Sequence, residues 1–201
     1  MSLIPAFELG LWNAWIFVLL MFLTDIGLSL LTIRLFLGST KSQESYRRHS
    51  TRPELSDLEK KMDHLSTIIT IALIAYSIVL PLNLGTVWFY TGLFVFVFGL
   101  IFGFIAMINF ALAPSNKPAT KGVYALSRNP MYFSMFVVFV SISLACASWL
   151  FLLLTIIYFI LVDRIVVAEE QLCLQLYGDA YREYMNRTPR WIGIPKSEKS
   201  D

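Results

Sequence analysis

Five apolar runs, separated by short polar segments, constrain what this chain can become. They cover roughly residues 11–37, 66–84, 87–112, 131–147 and 149–162. The first is interrupted by Asp25 and Arg34, and the second has Pro81 near its end. About 20 apolar residues in a helix cross the hydrocarbon core of a bilayer. Inside that core the backbone must satisfy its own hydrogen bonds, so isolated spans are helical. Hydrophobic residues make up 57% of the 201 and charged residues only 15%, where soluble domains carry about a quarter charged. The fold class expected is an all-α integral membrane protein with five transmembrane helices. The last two runs are short and meet at Ala147, Ser148 and Trp149. They predict a tight helical hairpin partly sunk in the membrane.

The basic residues fall in alternate segments. Residues 38–65 carry Lys41, Arg47, Arg48, Arg52, Lys60 and Lys61, and residues 113–130 carry Lys117, Lys121 and Arg128. The tail carries Arg164, Arg182, Arg187, Arg190, Lys196 and Lys199. The first ten residues and the turns near 85 and 148 carry none. With five spans, every basic segment lies on one side, which the positive-inside rule makes cytoplasmic. The N-terminus is then outside and the C-terminus cytoplasmic. The N-terminal run lacks a basic leader and is too long for a cleavable signal, so it reads as the first permanent span.

Composition excludes several classes. No basic patch interleaved with aromatics marks a nucleic-acid surface. Cys146 and Cys173 lack metal or disulfide spacing. His49 and His64 are the two histidines, too few for a histidine metal centre. In the 38–65 loop, Thr51 and Glu54 fit a capping box. Leu55, Leu58, Met62 and Leu65 follow at helical spacing, predicting an interfacial helix that leads into the second span.

Two polar stretches flank the hairpin. The first is KGVYALSRNPMYFSM, residues 121–135. Asn129 suits an N-cap and Pro130 the first helical turn. The helix start would offer free N–H groups and a positive dipole end to an anion. Arg128 adds a fork of donors beside it; it equally fits a side chain reaching for lipid headgroups. The second stretch is DRIVVAEEQLCLQLYGDAYREYMNRTPRW, residues 163–191. Glu169 and Glu170 follow the fifth span directly, a costly position unless they are solvated or bind something. A helix carrying Leu172 and Leu176 would end near Gly178, and Asp179 would cap a short helix with Tyr181 and Tyr184. A solvated amphipathic tail is the plain alternative.

Three further features are open at this level. Asp25 lies inside an apolar run and could pair with Asn83 or Asn109, or mark a helix end. Gly99 and Gly103 are spaced for close helix packing, within the chain or in a dimer. Phe89, Phe94, Phe96, Phe98, Phe102 and Phe104 could line a lipid groove or face lipid.

Together, the Gly122-x-Tyr124-x-x-x-Arg128-Asn129-Pro130-x-Tyr132 stretch and the Glu169-Glu170, Tyr177-Gly178, Tyr181, Tyr184 stretch resemble one superfamily. It comprises the membrane methyltransferases that include isoprenylcysteine carboxyl methyltransferase and phospholipid N-methyltransferases. The resemblance covers about residues 113–192; the first three spans match in hydropathy alone. It implies two regions, residues 1–112 with three spans and the 38–65 loop, and residues 113–201 as a catalytic region. It implies S-adenosylmethionine as cofactor, lined by Tyr124, Arg128, Asn129, Pro130, Met131, Tyr132, Glu169 and Glu170, with Asn116 to Ala119 in backbone contact. Arg128 would hold the methionyl carboxylate, and Arg164 would orient the acceptor. Many members have His where this chain has Asn129, so proton transfer is not expected there.

The reaction implied is isoprenylcysteine-type carboxyl O-methylation of a lipophilic or prenylated acceptor at the cytoplasmic membrane face. The alternatives are phospholipid amine N-methylation, an NADPH-dependent sterol-reductase-like enzyme with a similar Arg-x-Pro-x-Tyr loop, and a non-catalytic protein on the same scaffold.

Overall fold

A computed structural model describes residues 7–36, 55–114 and 116–195, with the side chains of 31–36 left aside. Six α-helices account for most of them: α1 Trp15–Phe36, α2 Asp57–Val79, α3 Val87–Ala111, α4 Pro130–Ala145, α5 Trp149–Tyr177 and α6 Asp179–Arg187. A short 3₁₀ turn, Gly122–Ala125, precedes α4. Among the described residues there is no strand, and the single extended pairing is the Asn13–Pro81 bridge.

Helices α2, α3 and α5 are long and apolar enough to cross a membrane. Helix α4 has 16 residues, about 24 Å at the usual rise, and is shorter than the bilayer core. The fifth run is not short. Its helix continues unbroken for 29 residues to Tyr177, because nothing between Val162 and Gly178 breaks a helix. The expected hairpin therefore joins one short helix to one long one.

The helices alternate in direction. Trp12 and Ala14 bond to Leu82 and Leu80, and the Asn83 N–H donates to the Ala145 carbonyl, so 12–14, 80–83 and 145–148 form one end of the bundle. The termini of α2, α3, α4 and α5 that carry the polar stretches form the other. Ser148 starts α5 by accepting from the Phe151 N–H at 3.2 Å.

Helices α3 and α4 make the most extensive pair. Their approach depends on a glycine stripe. A Cβ at Gly92 would overlap the Ala145 backbone, one at Gly99 would press on Val137 and Val138, and one at Gly103 on Ser134. The glycine spacing is thus used inside the chain. Phe17, Leu73, Phe96, Phe139, Ile142, Phe151 and Val166 form the core. The α3 phenylalanines divide: Phe96 and Phe102 are buried, while Phe94, Phe98 and Phe104 face outward.

One capping expectation is untested and another changes. Thr51 and Glu54 lie outside the described residues, and the capping box that starts α2 is Ser56 with Glu59. Gly178, at φ 55°, separates α5 from α6, and Asp179 is the first residue of α6 rather than its cap.

Candidate functional site

The polar end of the bundle gathers both stretches around the α4 N-terminus. Asn129 precedes α4 as expected and Pro130 opens it, but the Asn129 side chain makes no cap. Its amide is drawn away to Glu170 Oε1 at 3.0 Å and the Arg190 carbonyl at 3.4 Å. The first turn of α4 is left without a side-chain cap, so its N–H groups and positive dipole end point out of the helix.

Glu169 and Glu170, adjacent in sequence, have separate fates because successive helix residues point about 100° apart. Glu169 is half-buried, and its Oε1 accepts from the Tyr132 hydroxyl at 2.7 Å. Glu170 is buried, and internal donors occupy its carboxylate. Arg128 Nε lies 3.0 Å from Oε1, although its N–H is not aimed at an acceptor, so that contact is ionic. The hydrogen bond is made by Arg128 Nη2 to Oε2 at 3.3 Å, and Nη1 donates to the Met185 carbonyl at 3.0 Å. Arg190 Nε reaches the same Oε2 at 3.2 Å.

This cluster extends to residues that the sequence reading did not select. Arg190 Nη1 and the Trp191 indole both donate to Asp163 Oδ1, at 3.3 and 3.0 Å. Asp163 and Glu170 are seven apart, two helix turns on one face, a spacing visible in sequence. The segment after α6 is fastened back onto the loop before α4: Arg128 N–H donates to the Pro189 carbonyl and Gly193 N–H to the Leu126 carbonyl. Tyr184 adds a hydroxyl bond to the Tyr124 carbonyl at 2.6 Å. Burial pushes the phenols of Tyr124 and Tyr184 well above their usual range, so both stay neutral.

The selected residues therefore separate into groups. Tyr132 and Glu169 meet beside a cavity of about 230 Å³ that Tyr132 lines together with Asp63, Ser66, Tyr158 and Val162. Arg128, Asn129 and Glu170 form the buried ionic cluster. Pro130 is fully buried and Tyr124 is buried against Phe110, at 6.0 Å between rings, while Met131 is half-buried. Arg164 is exposed on α5 and is not brought to the others. Asn116 to Ala119 form an irregular turn after α3. Asp25 is exposed on α1, and neither expected partner meets it: Asn109 instead accepts from the Val123 N–H at 3.0 Å, holding the 3₁₀ turn.

Gly122 is required at this point. Its φ is +63°, and a Cβ would collide with the Asn109 side chain. The first glycine of the motif is thus a backbone position set by α3.

Residues 65–180, more than half of the chain, match the family model described as phospholipid methyltransferase. The chain belongs to that family. The superfamily resemblance read from its two stretches is correct, and the protein is a membrane methyltransferase. A phospholipid methyltransferase family member with several helices able to span is a multi-pass membrane protein. The match contains the α4 N-terminus, Tyr132, the two glutamates and the whole helical pair α3–α4. Its family places it apart from the sterol-reductase-like alternative. No curated protein matches the chain.

Proposed function

We propose that this protein transfers a methyl group from S-adenosylmethionine to the amine of a phospholipid headgroup at the cytoplasmic membrane face. The observation that carries this reading is the Tyr132–Glu169 pair, 2.7 Å apart, standing beside the uncapped start of α4 and a cavity. These residues fit the cofactor by charge. The carboxylate of Glu169 suits hydroxyl or ammonium groups, and the α4 N-terminus suits a carboxylate. When bound, S-adenosylmethionine supplies an electrophilic methyl on a sulfonium that leaves without acid or base help.

The protein's own part is to hold two reactants in line and keep water out, which in favourable cases contributes on the order of 7–11 kcal/mol. Met131 and Tyr132 would bound the cofactor on the α4 side and Glu169 on the α5 side. Arg128, Asn129 and Glu170 act one step removed. Their cluster fixes the loop, and with it the direction of the α4 N-terminus; Arg128 has its donors turned to Glu170 and Met185. Arg164 has no role in this arrangement. The family description favours a phospholipid amine over an isoprenylcysteine carboxylate. An amine acceptor arrives as an ammonium and must lose a proton before its lone pair forms the N–C bond as the C–S bond breaks.

Thermal unfolding of the detergent-purified protein tests the cofactor. S-adenosylhomocysteine should stabilise it and NADPH should not; the reverse result overturns the reading. Radiolabelled methyl transfer to vesicles containing phosphatidylethanolamine tests the acceptor.

A further inference from the structure

Asp63 is a carboxylate without an assigned task. It lies on α2, two residues before the segment that matches the family model. It is half-buried and lines the cavity opposite Tyr132. Its backbone carbonyl is occupied by Ser66 and Thr67 hydroxyls, at 2.8 and 2.9 Å. Among the described residues no cation forms an ion pair with its side chain, and the nearby Lys60 is turned to Asp57 at 3.6 Å. Asp63 lies within electrostatic reach of both Tyr132 and Glu169. Asp63 in the cavity wall and Glu169, bonded to the wall residue Tyr132, are two carboxylates from different helices, and among the described residues no cation pairs with either. A cationic group in that space relieves their mutual repulsion, while an anionic one adds to it.

Size and exposure narrow the occupant. At about 230 Å³ the cavity is smaller than the roughly 300–1,000 Å³ of pockets for drug-sized ligands. It suits a small headgroup better than a whole nucleoside cofactor. Its α2 wall includes Ile71, which is 61% exposed on the apolar outer surface of the bundle. A lipid can thus bring its headgroup in from the side.

We infer that Asp63 is a specificity-determining residue that holds the ammonium headgroup of the lipid acceptor in this cavity, selecting amine over carboxylate acceptors. This rests on the methyltransferase reading above. Asp63 and Glu169 then flank the reacting nitrogen. Asp63 anchors the ammonium and is placed to accept the proton it sheds, while Glu169 and Tyr132 stand on the cofactor side. The adjacent hydroxyl of Ser66 gives the site polar walls.

The test compares wild type, Asp63→Asn, Asp63→Glu and Glu169→Gln in the full chain, with methyl transfer to phosphatidylethanolamine micelles as one readout. A second readout is thermal stabilisation by S-adenosylhomocysteine or by dihexanoyl phosphatidylethanolamine. Asp63→Asn should raise KM for the lipid about tenfold or more, as loss of one partner of a desolvated charge pair does. Its KM for the cofactor and its stabilisation by S-adenosylhomocysteine should stay as in wild type. Asp63→Glu should recover most of the lipid affinity. Dihexanoyl phosphatidylethanolamine should stabilise wild type but not Asp63→Asn.

An unchanged lipid KM in Asp63→Asn sinks the inference while leaving the methyltransferase reading intact. So does a loss of S-adenosylhomocysteine binding equal to that of Glu169→Gln. Wild type that methylates no amine lipid overturns both. Methylation of free ethanolamine as efficient as that of the lipid overturns the lipid source of the amine.

Discussion

The Tyr132 hydroxyl donates to Glu169 Oε1 across 2.7 Å, tying the first turn of α4 to the last turns of α5. The bond joins two segments 37 residues apart in sequence, at the point where the hairpin opens toward the polar end. It holds one carboxylate of an adjacent pair beside a cavity while the other is buried, which makes the two glutamates separable by mutation.

Glu169→Gln should weaken S-adenosylhomocysteine binding strongly, because a charge-assisted partner becomes a neutral one, worth about 1.5–3 kcal/mol. Glu183→Gln, on the exposed face of α6, should leave binding unchanged. Isothermal titration of both proteins reads the difference. Equal effects would remove Glu169 from the site.

Arg128→Ala should act chiefly on stability. It strips one of the three partners of the buried Glu170 carboxylate, and with it a hydrogen bond and an ionic contact. Breaking a buried pair from one side costs about 3–5 kcal/mol. The double variant Arg128→Met with Glu170→Leu should be less destabilised than Arg128→Ala, since no buried carboxylate is left short of donors and Arg190 keeps Asp163. Chemical denaturation in mild detergent would measure both.

Gly122→Ala should cost about 1–3 kcal/mol from backbone strain, and more from its collision with Asn109. Asn109→Ala alone loses the acceptor of the Val123 N–H, and adding Gly122→Ala to it should cost less than Gly122→Ala costs in wild type, because the collision is already gone. Comparing the thermal midpoints of the three variants separates strain from overlap.

Gly92→Val should force α3 and α4 apart at the Ala145 backbone, where overpacking costs typically 1–3 kcal/mol or more. The readout is loss of folded, monodisperse protein on size-exclusion chromatography. Gly27→Val, at a glycine with open space around its α1 position, should be well tolerated.

Topology has a direct test. In a variant without Cys146 and Cys173, a cysteine at Leu84 and one at Lys121 should label from opposite membrane faces, because their segments lie at opposite ends of the bundle. Labelling of Lys121→Cys from the cytoplasmic face would agree with the positive-inside reading; labelling of both from one face would refute the alternation.

Much of the helix layout was legible because hydropathy and caps are local. The starts of α3 and α4, and the helix break at Gly178, follow from the apolar run that opens at Val87, from Pro130 and from Gly178 itself. The length of α5 was not legible. The run stops looking apolar at Asp163, yet Asp163, Glu169 and Glu170 continue the helix because each finds a partner on another segment. Arg128 shows the same limit. In sequence its donors looked available to a cofactor carboxylate, whereas the fold directs them to Glu170 and Met185.

By itself the sequence determined the helical, membrane-embedded class, the alternation of basic segments and the family, all set by composition and by short motifs. Tertiary structure decided which residues share a site. It turned Glu169 to Tyr132 and Glu170 to Arg128 and Arg190, and set Asp63 across a cavity from residues about 70 and 100 positions away. Side-chain direction depends on how helices rotate and pack against one another, and no local pattern encodes that rotation.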